Sequence, residues 1–199
     1  MTLSYPRAGR RGFPAFGRAM MRLTGWTFRG ALPALPKFVI IVAPHTSNWD
    51  FPVGVFALFA LDHESRWFGK ASLFRPPMGF LLRMIHGRPV SRDTPEGMVA
   101  EMAAAVRAEP QFVLALAPEG TRKSVDHWRT GFYRIAEAAD IPIVAVSFDW
   151  SRKEIGINPP VHPSGNLATD VAALQAHYRP DMARHPEGFW RTRALPGAR

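Results

Sequence analysis

His45 and Asp50, separated by Thr46-Ser47-Asn48-Trp49, form a pair whose side chains together could move a proton. On a continuous helix five residues sweep about 500° of turn, so the two would point apart unless the chain bends between them. A strand end, a loop capped by Ser47 or Asn48, and a helix holding Asp50 in its first turn would supply the bend. Asp50 could then accept a hydrogen bond from one imidazole nitrogen and leave the other to take a proton, as a general base with its orienting acid requires. The plainer alternative is a capping aspartate near an ordinary histidine. A second cluster, Ala117-Pro118-Glu119-Gly120-Thr121-Arg122, joins a glycine that admits close approach to the backbone with a glutamate and an arginine. Both charges need partners if they sit at a strand end. The plainer alternative here is a proline-glycine turn with a solvated salt bridge.

The elements that must position these clusters can be read from the apolar pattern. Phe38-Val-Ile-Ile-Val-Ala43, Phe112-Val-Leu-Ala-Leu-Ala117 and Ile141-Pro-Ile-Val-Ala-Val-Ser-Phe148 are short, nearly unbroken apolar runs, the pattern of strands buried on both faces. Residues 66–69 and 89–91 are weaker strand candidates. Residues 51–61, 78–85, 96–108 and 131–139 read as helices, the third with Thr94 as cap and Pro95 at its first position. Alternating strands and helices predict an α/β fold, a mixed, largely parallel sheet flanked by helices. Each polar cluster directly follows a strong strand. Ligands gather outside the carboxyl ends of strands in open α/β sheets, so neighbouring strands would bring the two clusters together.

Composition narrows the chemistry. The chain has 199 residues, no cysteine and a formal net charge of +9, so cysteine nucleophiles, disulfides and thiolate metal sites are excluded and anionic partners are favoured. The seven histidines show no His-x-x-x-His or His-Glu-x-x-His spacing, and no metal or cofactor is expected. There is no Gly-x-Ser-x-Gly elbow. Near Gly69-Lys70-Ala71 a phosphate-binding P-loop would need glycine at 64 and serine or threonine at 71, where Glu64 and Ala71 stand. The arginines are scattered through loops and termini without a recognition helix, which argues against nucleic acid.

The stretches free of charge, residues 38–49 and 51–61, are well short of the roughly 18 to 20 residues of a spanning helix. With no secretory signal pattern at the start, the expected location is cytoplasmic. Phe13 to Arg29 interleaves large apolar residues with Arg18, Arg22 and Arg29. Phe16, Met20, Leu23 and Thr27 recur at helical spacing, so the segment either lies on an anionic membrane surface or packs on the domain. The division expected is a basic amphipathic segment over 1–36 and one globular domain over 37–199.

Taken together and in this order, the clusters resemble the lysophospholipid acyltransferase family, typified by the lysophosphatidic acid acyltransferases. The similarity comprises the His-x-x-x-x-Asp block at His45 to Asp50 and the Pro-Glu-Gly-Thr-Arg block at Pro118 to Arg122. Between them, Gly87-Arg88-Pro89-Val90-Ser91-Arg92 is similar to the family's middle block, and Ile141-Pro142-Ile143-Val144 to its fourth. The resemblance implies that His45 removes the proton of an acceptor hydroxyl, with Asp50 orienting it. The hydroxyl then attacks an acyl thioester carried by coenzyme A or acyl carrier protein, both co-substrates rather than cofactors. It further implies that Gly120 and its neighbours, Thr121 among them, bind near the reacting centre, that Glu119 helps hold the acceptor and that Arg92 and Arg122 bind acceptor phosphate. Apart from the resemblance, Lys70 either adds positive charge to the acceptor path or lies on a solvated face. The acceptor implied is a lysophospholipid or related lysolipid. Since the membrane helices of many relatives are missing, Phe13 to Arg29 becomes the expected peripheral attachment. Pro44, Ala117, Lys123 and Phe132 depart from the usual residues beside the blocks. Thioester hydrolysis on the same scaffold, or non-enzymatic binding of an anionic membrane or nucleic acid, is the alternative.

Overall fold

Successive side chains of the run Lys37–Ala43, strand β2, point to opposite sides of a sheet and are buried on both, Phe38 and Ile40 on one face and Val39, Ile41 and Ala43 on the other. The computed structural model describes residues 5–9, 11–90 and 95–191. In chain order the elements are α1 (Phe13–Thr24), β1 (Thr27–Arg29), β2, α2 (Asp50–Ala60), β3 (Arg66–Lys70), α3 (Met78–Met84), β4 (Gly87–Val90), α4 (Pro95–Ala108), β5 (Phe112–Leu116), α5 (Gly131–Ala139), β6 (Ile143–Asp149), β7 (Glu154–Ile157) and α6 (Leu167–Gln175). The strands form one sheet in the order β1-β7-β6-β2-β5-β3-β4. All pairings are parallel except β6 with β7, so β1 and β7 run against the other five.

Helices cover both faces. On one, Val106 of α4, Phe132 and Ala136 of α5 and Val171 and Leu174 of α6 pack on Val39, Ile41, Leu114 and Ile143. On the other, Met21 of α1 and Val53 and Ala57 of α2 pack on Phe38, Ile40, Val144 and Phe148. The mixed, largely parallel sheet flanked by helices is therefore the observed architecture. The β2–β5 and β2–β6 pairings place the ends of these three strands side by side, with Ile41 opposite Leu116 and Ala43 opposite Ser147.

The amino-terminal segment differs from its expected form. The helix over residues 13–29 ends at Thr24, because Gly25 adopts a left-handed conformation (φ 77°) whose backbone N–H caps the carbonyls of Arg22 and Met21. Residues 27–29 instead form β1 at the edge of the sheet, paired with β7. The face of α1 that packs inward is also different: Gly17 and Met21 are buried. A Cβ on Gly17 would lie 2.8 Å from the Phe56 carbonyl oxygen and 2.7 Å from Phe59 Cβ, so glycine permits a close crossing of α1 on α2. Phe16 and Leu23 stay exposed, Leu23 by 80%.

Candidate active site

The carboxyl ends of β5, β2 and β6 deliver three loops to one place. After β2 the chain turns through Pro44 to Ser47 and enters α2 with Asp50 as its first residue. Trp49, not Ser47 or Asn48, occupies the capping position and makes no side-chain cap. Ser47 still makes the turn: its hydroxyl accepts from the Trp49 N–H at 3.2 Å and its carbonyl from the Asp50 N–H at 3.3 Å. His45 and Asp50 are thereby folded back on each other, His45 Nδ1 lying 3.1 Å from Asp50 Oδ2. The carboxylate is 1% exposed and the imidazole 22%, so the acid is sealed while the histidine keeps a face open to an approaching molecule.

Among the described residues three hydrogen-bond donors meet Asp50. Its Oδ2 also accepts from the Ser47 backbone N–H at 2.8 Å, and its Oδ1 accepts from the Trp150 indole N–H at 2.8 Å. A carboxylate surrounded in this way directs the Nδ1 proton of the neutral imidazole toward itself, leaving Nε2 as the free lone pair.

From the loop after β5, Glu119 reaches back so that its Oε1 accepts from the His45 backbone N–H at 3.0 Å. The two loops identified in the sequence are thus directly bonded. Glu119 is buried, and its Oε2 has no hydrogen-bond partner. Burial pushes its carboxyl up to about 7, opposed by hydrogen bonds from its own and the His45 backbone and by the charge of His45. Gly120 turns the chain at φ 65°, and a Cβ there would lie 2.7 Å from Arg129 Nε, so the arginine side chain packs directly on the glycine backbone. Thr121 and Arg122 are exposed on the same loop, the Thr121 hydroxyl accepting from the Lys123 N–H at 3.3 Å. Lys70 is the last residue of β3. Arg92 lies outside the described residues.

An open cavity of about 810 Å³ adjoins Glu119 and Thr121 and is also lined by Arg129, Arg134 and Arg191. That volume lies within the range of ligand sites. These arginines were not singled out by the sequence, which marks only the compact motif before them. Trp150 was missed too, although it stands one residue beyond β6, at the same end of the sheet as the two clusters. Among the described residues no group of three or more His, Asp or Glu could hold a metal ion.

Glu119 has a consequence for stability that a titration can read. The folded protein holds this proton up to about pH 7, whereas an unfolded chain releases it near the ordinary value of 4.5. Between those values the folded state binds more protons, so the contribution of Glu119 to stability declines as pH rises from 4.5 to 7 and is flat above. Relative to wild type, Glu119→Gln is expected to gain about 3 kcal/mol across that window. Urea denaturation of both proteins at pH 4.5, 6 and 8 checks this; a stability difference independent of pH would show that the carboxyl is not perturbed.

Fold and site together define an α/β enzyme with a histidine–aspartate pair at the carboxyl end of a largely parallel sheet. The chain belongs to the acyltransferase family, whose family model matches residues 30–149, more than half its length, and it is an acyltransferase. Its fold is similar to that in the crystal structure of the 1-acyl-sn-glycerophosphate (LPA) acyltransferase PlsC from Thermotoga maritima. The TM-score is 0.58 at 18% sequence identity, over 83% of this chain and 74% of that one. No curated protein matches the sequence.

Proposed function

We propose that the protein transfers a fatty acyl group from an acyl thioester, acyl-CoA or acyl-ACP, to the hydroxyl of a lysophospholipid or related lysolipid, with His45 as general base. The observation that carries this reading is the folded-back His45–Asp50 pair bonded to a buried glutamate with one free carboxyl oxygen. Nε2 of His45 takes the acceptor proton as the hydroxyl oxygen attacks the thioester carbonyl. The tetrahedral centre then expels the carrier thiolate, which recovers a proton from the imidazolium. Acyl transfer of this kind needs a positioned base but no enzyme nucleophile. Glu119 is the residue proposed to help hold the acceptor, and the cationic groups Arg122, Arg129 and Arg134 are suited to a phosphate. Lys70 and Arg92 are further expected cations on that path. The acceptor named for the Thermotoga structure, 1-acyl-sn-glycerophosphate, is consistent with such a site.

Among the described residues no helix is long and apolar enough to cross a membrane. Peripheral attachment through α1 is the accompanying proposal. Phe16 and Leu23 are exposed beside Arg11, Arg18 and Arg22, and Leu73, Phe80 and Leu81 around α3 are exposed as well. Apolar residues among arginines fit an anionic lipid surface. Leu23→Glu is expected to weaken sedimentation with vesicles containing phosphatidylglycerol roughly tenfold, and phosphatidylcholine vesicles should bind wild type poorly. Equal sedimentation of variant and wild type would remove α1 from the contact.

The assay for the reaction is release of carrier from long-chain acyl-CoA and acyl-ACP, with and without a panel of lysophospholipids. Release that depends on a lysolipid supports transfer and identifies the acceptor. Release without any acceptor would replace transfer by hydrolysis.

A further inference from the structure

Asp50 presents two carboxylate oxygens, and the His-x-x-x-x-Asp loop accounts for only one. Oδ2 takes both His45 Nδ1 and the Ser47 N–H. Oδ1 is taken by a residue one hundred positions away, the indole N–H of Trp150, at 2.8 Å. We infer that Trp150 is a positioning residue of the acyl-transfer site, fixing the plane of the Asp50 carboxylate so that Oδ2 faces the imidazole.

Three features support a fixed role for this indole. It follows β6, which is paired with β2, so the sheet itself sets the distance between the two loops. Its backbone N–H donates to the Met182 carbonyl at 2.9 Å, which ties the residue to the 3₁₀ turn Pro180–Met182. Its ring is gripped edge-on by Trp26, 5.0 Å between centroids and 87° between planes, and covered by the Arg184 guanidinium 4.6 Å from the centroid. A carboxylate bonded through one oxygen alone can rotate about its Cβ–Cγ bond and exchange which oxygen meets the histidine. Bonded through both, it cannot. An indole N–H is also a donor that neither accepts a proton nor titrates, so it holds the carboxylate in place without entering the proton transfer. The mechanism needs His45 and Asp50 in any case; Trp150 acts only through Asp50, and the inference rests on the function proposed above.

The experiment compares wild type with Trp150→Phe and with a protein carrying β-(3-benzothienyl)alanine at position 150, in which sulfur replaces the N–H and the shape of the ring is kept. Both are expected to lose about 10- to 100-fold in kcat, the worth of a hydrogen bond to a charged group, with KM for donor and acceptor changed less than about twofold. The isostere decides the question if Trp150→Phe fails to fold. A second readout does not require turnover: the Trp150 indole proton, assigned by its loss in the isostere, should lie downfield in the NMR spectrum and move upfield in Asp50→Ala, which has no acceptor at that position. An isostere with wild-type kcat overturns the inference, as does an indole resonance indifferent to Asp50→Ala. Wild-type turnover in His45→Ala would refute the underlying reading of the site instead, and the indole resonance would still report whether Trp150 holds the carboxylate.

Discussion

His45→Ala is expected to lower kcat by roughly 100- to 10,000-fold, the usual worth of one positioned base. The imidazole combines partial exposure with a fixed orientation: Nδ1 faces Asp50, and Nε2 is the nitrogen that the proposed reaction uses. Without it, the acceptor hydroxyl must lose its proton to water. KM should change little, because the binding groups proposed for the acceptor lie on the loop after β5 and on α5 rather than on the histidine. Steady-state kinetics on the purified variant, with its fold checked by circular dichroism, provide the test. Turnover equal to wild type would remove His45 from the mechanism.

Asp50→Asn should fall nearly as far, roughly 100- to 10,000-fold in kcat, for a reason specific to this site. Three donors converge on the carboxylate: His45 Nδ1–H, the Ser47 N–H and the Trp150 indole N–H. An amide has a single acceptor oxygen. If that oxygen faces Trp150, the amide nitrogen is set against the Ser47 N–H and donates to Nδ1, selecting the tautomer whose Nε2 carries a proton and cannot act as base. If it faces His45 and Ser47, the amide nitrogen is set against the indole N–H. Either way one buried donor loses its acceptor, at a cost of about 1–3 kcal/mol, so a lowered melting temperature should accompany the lost activity. A variant with wild-type kcat and unchanged melting would show that Asp50 neither orients the histidine nor holds the loop.

What the sequence made legible follows from how strongly each element is written. β2, β5 and β6 are continuous apolar runs because both their faces are covered, and their polar sequels marked the site. β6 begins at Ile143 rather than Ile141, since Pro142 precedes the first ladder pairing, Ile143 with Val39. β1 and β7, Thr-Phe-Arg and Glu-Ile-Gly-Ile, are too short and too mixed to show a period, and form only because the edge of the sheet is there to receive them. α6 carries a local signal in Asn166, which caps it, its side chain accepting from the Thr169 N–H at 3.1 Å. Within the site, His45, Asp50 and Glu119 were legible as motif residues. The burial of Glu119 was not, because it is set by tertiary packing rather than by the residues of its own motif. Trp150 was invisible for the same reason: only the β2–β6 pairing brings it to Asp50.

Helix α2 works as a strut between two jobs. Asp50 is its first residue, and Phe56, Phe59 and Ala60, where α1 crosses, lie near its last. At 1.5 Å per residue the strut is about 15 Å long. Its upper end is braced by a tryptophan and its lower end by the helix proposed to rest on lipid. On the attachment proposed above, the spacing between reaction and bilayer would be a property of the chain rather than of the lipid. Trimming the amino-terminal segment as though it were an appendage would unseat the foot of the element whose head holds the acid.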